Sequence, residues 1–142
     1  MNNSTGMKKI YITESDIERL EELLSVAVRL SVRDFHHLEN LTKELMKAEI
    51  VKSTDVPNSV VTMNSKVLLK DLERNEQKTY VLVFPKESNV DQDKISVLSP
   101  IGTAVLGCRV GHVLKIKTPA GERRMKVEKI LYQPEKAGDF HL

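Results

Sequence analysis

Ser53-Thr54-Asp55-Val56-Pro57 is the point at which this chain changes its period. Before it, apolar residues recur at three- and four-residue steps; after it, they come in short runs separated by polar and turn residues. Proline lacks an amide hydrogen and its ring clashes with the preceding turn, so carrying a helix through Pro57 would cost about 3 kcal/mol. The pattern divides the chain into a flexible start and lead-in over 1–12, a helical hairpin over 13–52 and a strand-rich domain over 53–142.

Working back from that point, Lys9-Ile10-Tyr11-Ile12 reads as an extended lead-in. Thr13 offers a side-chain oxygen as an N-cap, with Asp16 three residues on in the manner of a weak capping box. Ile17, Leu20, Leu23, Leu24 and Ala27 then form one helical stripe, and Phe35, Leu38, Leu41, Leu45 and Ala48 form a second. Ser31 or Asp34 can start the second helix, which puts the turn at 28–33. Two helices of about 16 residues, each roughly 24 Å long, must lie antiparallel when the link is so short. Leu20, Leu24, Leu38, Leu41 and Leu45 are the expected seam. Such a hairpin is marginal alone and leans on the rest of the chain.

Working forward, 65–72, 79–84, 95–98, 113–117 and 126–132 read as strands. Thr118-Pro119-Ala120-Gly121 suits a tight turn between the last two. Pro100 to Leu106 fits one or two helical turns, with proline in the first and Gly107 as the stop. Few helices among many strands give an α+β domain. With no Trp, three Tyr and three Phe, its core is aliphatic.

Composition narrows the function by exclusion. A net charge of +2 demands no polyanionic partner. The one cysteine, Cys108, rules out an internal disulfide and fits a reducing compartment. No apolar run approaches the roughly 20 residues of a membrane span, and 1–7 has no hydrophobic signal core, so the expected location is the cytoplasm. His36 and His37 diverge by about 100° on a helix, and neither they nor His112 and His141 sit in a metal-ligand pattern. Gly102, Gly107 and Gly111 are spaced unlike a phosphate-binding loop. Lys115, Lys117, Arg123, Arg124, Lys126 and Lys129 gather on the last hairpin, as a solvated face or as a contact for an acidic surface or nucleic acid. No aromatic residues interleave with them to stack bases. No catalytic constellation, metal site or cofactor site emerges.

Four stretches carry a family resemblance: Val60-Val61-Thr62-Met63-Asn64-Ser65; Ile95-Ser96-Val97-Leu98-Ser99-Pro100-Ile101-Gly102; Leu106-Gly107-Cys108-Arg109-Val110-Gly111; and Tyr132-Gln133-Pro134-Glu135 with Ala137-Gly138-Asp139. In this order they resemble the C-terminal domain of the Gre transcript-cleavage factors, and more narrowly the short relatives known as regulators of nucleoside diphosphate kinase. The Ser-Pro-Ile block followed by Leu-Gly is the general Gre feature. The first and last stretches point to the shorter relatives.

The resemblance implies an FK506-binding-protein-like antiparallel sheet with one short helix, preceded by a short coiled coil. It also implies a partner, RNA polymerase, with docking at the rim of the secondary channel through Ser99, Pro100, Ile101 and Gly102. In Gre factors, acidic residues at the coiled-coil tip help the polymerase hold a catalytic magnesium for transcript cleavage. Here the tip region offers Arg29, Arg33 and one acid, Asp34. Holding such an ion takes hard oxygen ligands, usually more than one carboxylate, and two arginines repel it. The expectation is therefore a polymerase-binding regulator that is not an enzyme, competes with Gre factors and does not stimulate cleavage, with no membrane partner and no sequence-specific nucleic-acid binding. The alternatives are an interaction module gripping another acidic partner, and a prolyl isomerase, whose aromatic-lined hollow is hard to assemble from six aromatics without Trp.

Overall fold

A computed structural model describes residues 10–30, 35–118 and 121–139. The elements run β1 (Tyr11–Thr13), α1 (Glu14–Leu30), α2 (Phe35–Lys47), β2 (Glu49–Val51), β3 (Lys66–Asp71), β4 (Glu76–Val83), β5 (Lys94–Ser96), α3 (Pro100–Val105), β6 (Val113–Thr118), β7 (Gly121–Tyr132) and α4 (Pro134–Ala137).

Thr13 caps α1 as its sequence predicts: its Oγ1 accepts the Asp16 amide at 3.1 Å. The reciprocal half of a capping box does not form, because the Asp16 carboxylate turns away from the helix and accepts the Met63 amide at 3.0 Å. α1 runs on to Leu30, through part of the stretch expected to turn. Arg33 and Asp34 of the expected tip lie outside the described residues.

Of the expected seam, the side chain of Leu38 lies outside what is described; Leu20, Leu41 and Leu45 are buried, and Leu24 packs partly against the core, as does Leu23 beside it. These leucines join Ile10, Ile12, Val61, Met63 and the sheet's inner residues in one apolar cluster, so the hairpin buries its stripe on the rest of the chain. Isolated helices of this length are marginal in water, and this shared burial stabilises them.

The feet of the hairpin are tied together by a parallel pair that periodicity does not reveal. β1 and β2 align Tyr11 with Glu49 and Thr13 with Val51. Glu49 donates to the Ile10 carbonyl at 2.9 Å, and Tyr11 donates to the Gly107 carbonyl at 3.3 Å. Gly107 has φ of 78°, and a Cβ there would lie 2.8 Å from that of Ile10. Glycine is required both for the left-handed backbone and for the close approach of the lead-in strand.

The main sheet has the order β5-β4-β3-β7-β6. It is mixed where an antiparallel sheet was expected: β5 lies parallel to β4. Residues 84–93, with two short 3-10 turns, carry the chain back to the same end, the kind of crossover a parallel neighbour requires. β4 and β7 also begin earlier than their apolar runs, because charged residues continue both strands. Val67, Leu69, Leu82, Leu114, Ile116, Met125 and Val127 face inward and are buried. α3 touches both edge strands, β5 and β6, so the sheet curls around it.

α3 matches its expected bounds, with Ser99 as N-cap and Pro100 in the first turn. A further short helix, α4, was not expected. Gln133 caps it by accepting the Lys136 amide at 3.2 Å, and Gly138 ends it at φ of 82°.

Candidate partner-docking site

The four residues expected to dock a partner are contiguous at the start of α3, but they divide by role. Ser99 Oγ accepts the Gly102 amide at 3.0 Å and donates to the Ser96 carbonyl at 2.7 Å, so its hydroxyl is committed to the cap. Gly102 is buried, and a Cβ there would sit 2.0 Å from the Ser96 carbonyl oxygen. It is the point where α3 presses on the end of β5. Thr103 Oγ1 tightens the same joint by donating to the Val97 carbonyl at 2.6 Å. Ile101 is half-buried and packs on the core, leaving Pro100 as the exposed member. Pro100 forms one lip of a cleft that α2 flanks with Asn40 and Glu44 and β6 with Lys115. Ser99 and Gly102 thus fix the attitude of α3, while Pro100 and the cleft beside it face outward.

Of the expected tip residues, Arg33 and Asp34 lie outside the described residues. Arg29 is the penultimate residue of α1.

A second constellation joins residues that sequence reasoning did not connect. Gln133 Nε2 donates to the Val60 carbonyl at 2.7 Å and to that of Pro57 at 2.9 Å. Thr62 Oγ1 donates to Glu135 at 2.7 Å and shares a 3.0 Å hydrogen bond with Ser65. Asp16, from α1, reaches into the same loop at Met63 and receives Arg19 at 2.5 Å. The Arg19 guanidinium lies over the Phe84 ring, 5.1 Å from its centre. Burial pushes the Asp16 carboxyl up to about 6; the Met63 amide and Arg19 pull it the other way, and the charge of Glu135 adds to the rise. This knot holds the hairpin, the 60–65 loop and α4 together. Its signal in the sequence was the pairing of two otherwise unexplained stretches, Val60–Ser65 and Tyr132–Glu135, which prove to be neighbours.

Residues 56–132 match the family described as transcription elongation factor, GreA/GreB, C-term, and residues 8–51 match the Rnk N-terminus. The regulator of nucleoside diphosphate kinase of Escherichia coli is 35% identical over 136 residues, covering 94% of this chain and 96% of that one. The chain belongs to the Rnk family, within the Gre group. Transcription elongation factor GreA of Thermosipho melanesiensis is 37% identical over 107 residues, which is 75% of this Rnk-family chain and 65% of the factor. The solved structure of the prokaryotic transcription elongation factor GreA/GreB from Nitrosomonas europaea superposes with a TM-score of 0.72 at 34% identity, covering 87% of this chain and 100% of that one. Among the described residues no group of three or more His, Cys, Asp or Glu is placed to hold a metal ion, and no helix is long and apolar enough to cross a membrane.

Proposed function

We propose that this Rnk-family chain is a transcription regulator that binds RNA polymerase at the rim of its secondary channel and competes there with Gre factors without stimulating transcript cleavage. The observation that carries this reading is the start of α3. The Ser-Pro-Ile-Gly block is braced from behind by the Ser99 cap and the Gly102 contact, and it presents Pro100 beside an open cleft on a Gre-type fold. Residues braced in this way can form a rigid contact at little conformational-entropy cost. In this reading the curled sheet with α3 is an FK506-binding-protein-like platform, and the two helices are a short coiled coil directed at the channel. Asp34 is the single carboxylate of the tip region, beside Arg33, which leaves a magnesium ion without a pair of acidic ligands there.

Purified polymerase tests both halves. Pro100→Glu places an acid in the first turn of α3, where the helix dipole tolerates it, so the fold is kept while the contact is lost. Wild type should bind polymerase and the variant should not; equal binding by a folded variant would remove α3 from the interface. Backtracked complexes should be cleaved no faster with the wild type than without it, and excess wild type should slow cleavage stimulated by a Gre factor. Strong cleavage by this chain alone, lost in Asp34→Ala, would overturn the second half.

A further inference from the structure

The outer face of the main sheet carries lysines that form no ion pair among the described residues. On β3, burial alternates: Val67, Leu69 and Asp71 face the core, while Lys66, Leu68 and Lys70 do not. The register sets Lys70 directly opposite Lys126 of β7, and Leu68 opposite Lys129. Lys126 in turn faces Val113 of β6, and Lys115 stands one outward position further along that strand. Neighbouring strands lie about 4.8 Å apart, so Lys70, Lys126 and Lys129 crowd together, with Lys66 toward one end of the face and Lys115 toward the other. Like charges directly opposite each other on a sheet destabilise it. Glu128 stands at the β7 bulge among them, and Glu73 is held by Arg124, the neighbour of Lys115 across β7.

The remainder of the same sheet shows how this chain treats a basic residue it means to neutralise. Arg123 donates to the buried Asp71, with Nε at 3.0 Å, and holds that carboxyl below its ordinary value. Arg124 donates to Glu73 at 2.8 Å, and Lys78 pairs with Asp93 at 3.3 Å. Among the described residues no ion pair forms to Lys66, Lys70, Lys115, Lys126 or Lys129. Between them stand aliphatic side chains, with Leu131 46% and Val113 43% exposed. The neighbouring aromatic, Tyr132, is half-buried and its hydroxyl donates to Asp139.

We infer that this face, centred on Lys70, Lys126 and Lys129, is a second docking surface, distinct from the start of α3 and meeting the α3 cleft at its edge in Lys115, and that its partner is an acidic polypeptide segment carrying aliphatic residues. Lysines supply steering and charge complementarity, and the leucine and valine side chains between them supply contact area. A nucleic-acid strand fits less well, because it would find phosphate contacts here but no free aromatic platform on which to stack its bases.

The test uses the full-length chain and a fluorescent synthetic peptide of Glu, Asp and Leu, with a single-stranded RNA of matched charge as the rival probe. Wild type should bind the peptide, more weakly as salt is raised, and more tightly than it binds the RNA. Lys70→Gln with Lys126→Gln and Lys129→Gln should weaken peptide binding about tenfold or more, since rim charges act mainly through attraction. Lys86→Gln, exposed but off this face, should leave it unchanged. If the triple variant does not fold, Lys129→Glu alone, at an exposed bulge position, makes the same comparison. Absence of peptide binding by wild type, an unaltered affinity in the lysine variants, or RNA bound as tightly as the peptide would each overturn the inference. Polymerase binding is not the readout, so none of these outcomes bears on α3.

Discussion

Asp16 should make the stability of this protein fall as pH rises through the weakly acidic range. Its carboxyl is 1% exposed, and burial lifts its pKa from the ordinary 3.8 to about 6 in the folded state. A group whose pKa is raised by folding stabilises the folded state fully below the unfolded value and loses that contribution as pH climbs through the folded one. At about 1.36 kcal/mol per pH unit the linkage amounts to about 3 kcal/mol in total, of which about 1.3 kcal/mol is lost between about pH 5 and 7. Asp16→Asn removes the titration while keeping the size of the side chain and an oxygen that can accept the Met63 amide. Urea unfolding followed by circular dichroism, with both proteins at both pH values, isolates the term, because other titrating groups cancel in the difference. Wild type should lose about 1 kcal/mol relative to the variant across that interval. A constant difference would refute the reasoning. A relative gain for wild type between about pH 3 and 5 would show that the Met63 amide and Arg19 outweigh burial.

Three further outcomes follow from the packing. Leu41→Ala, at a fully buried site in the apolar cluster, should cost roughly 2–5 kcal/mol in denaturant unfolding; a change within about 0.5 kcal/mol would put Leu41 on an exposed face. Gly102→Ala forces a Cβ against backbone, the Ser96 carbonyl, and should lower stability by about 1–3 kcal/mol or more, whereas an unchanged midpoint would mean that α3 can move off β5 freely. The Tyr132 phenol, donating to the Asp139 carboxylate, is pushed up to about 12; in an ultraviolet titration Asp139→Asn should bring one tyrosine back toward its ordinary value, and identical curves would show that the hydrogen bond is not kept in solution.

Much of this fold was legible because long amphipathic elements announce themselves through repeated spacing. The stripes of α1 and α2, the proline stop at Pro57 and the Ser99-Pro100 start of α3 all encode local structure. What escaped was either short or dependent on distant partners. β1 and β2 have three residues each, too few for a period, and they pair across the whole hairpin. The early parts of β4 and β7 look like turn because Glu76, Gln77, Glu122, Arg123 and Arg124 are polar; Asp71 and Glu73 make strand residues of the two arginines by pairing with them. α4 is one turn long, and its Gln133-Pro134 start and Gly138 stop were visible as residues without an apolar stripe to connect them. At the candidate site, the Ser-Pro-Ile-Gly block was found in the right place, but sequence could not separate the residues that brace α3 from the one that faces outward. That separation depends on a carbonyl, Ser96, whose position only the fold determines. Asp16 was read as part of a helix cap because its spacing from Thr13 fits one; its carboxylate instead serves an amide 47 residues away.

The parallel clamp at the feet of the hairpin has a consequence for how such molecules can vary. β1, β2 and the Gly107 contact settle where the two helices begin and end, and none of those contacts depends on how long the helices are. The hairpin is in this sense a ruler with a fixed zero. Adding four residues to each helix would carry its far end about 6 Å further out, close to one full turn, and would leave every bond at the base as it was. Depth of reach and strength of anchoring are thus separate variables, and a lineage can change the first by simple insertion without having to rebuild the second.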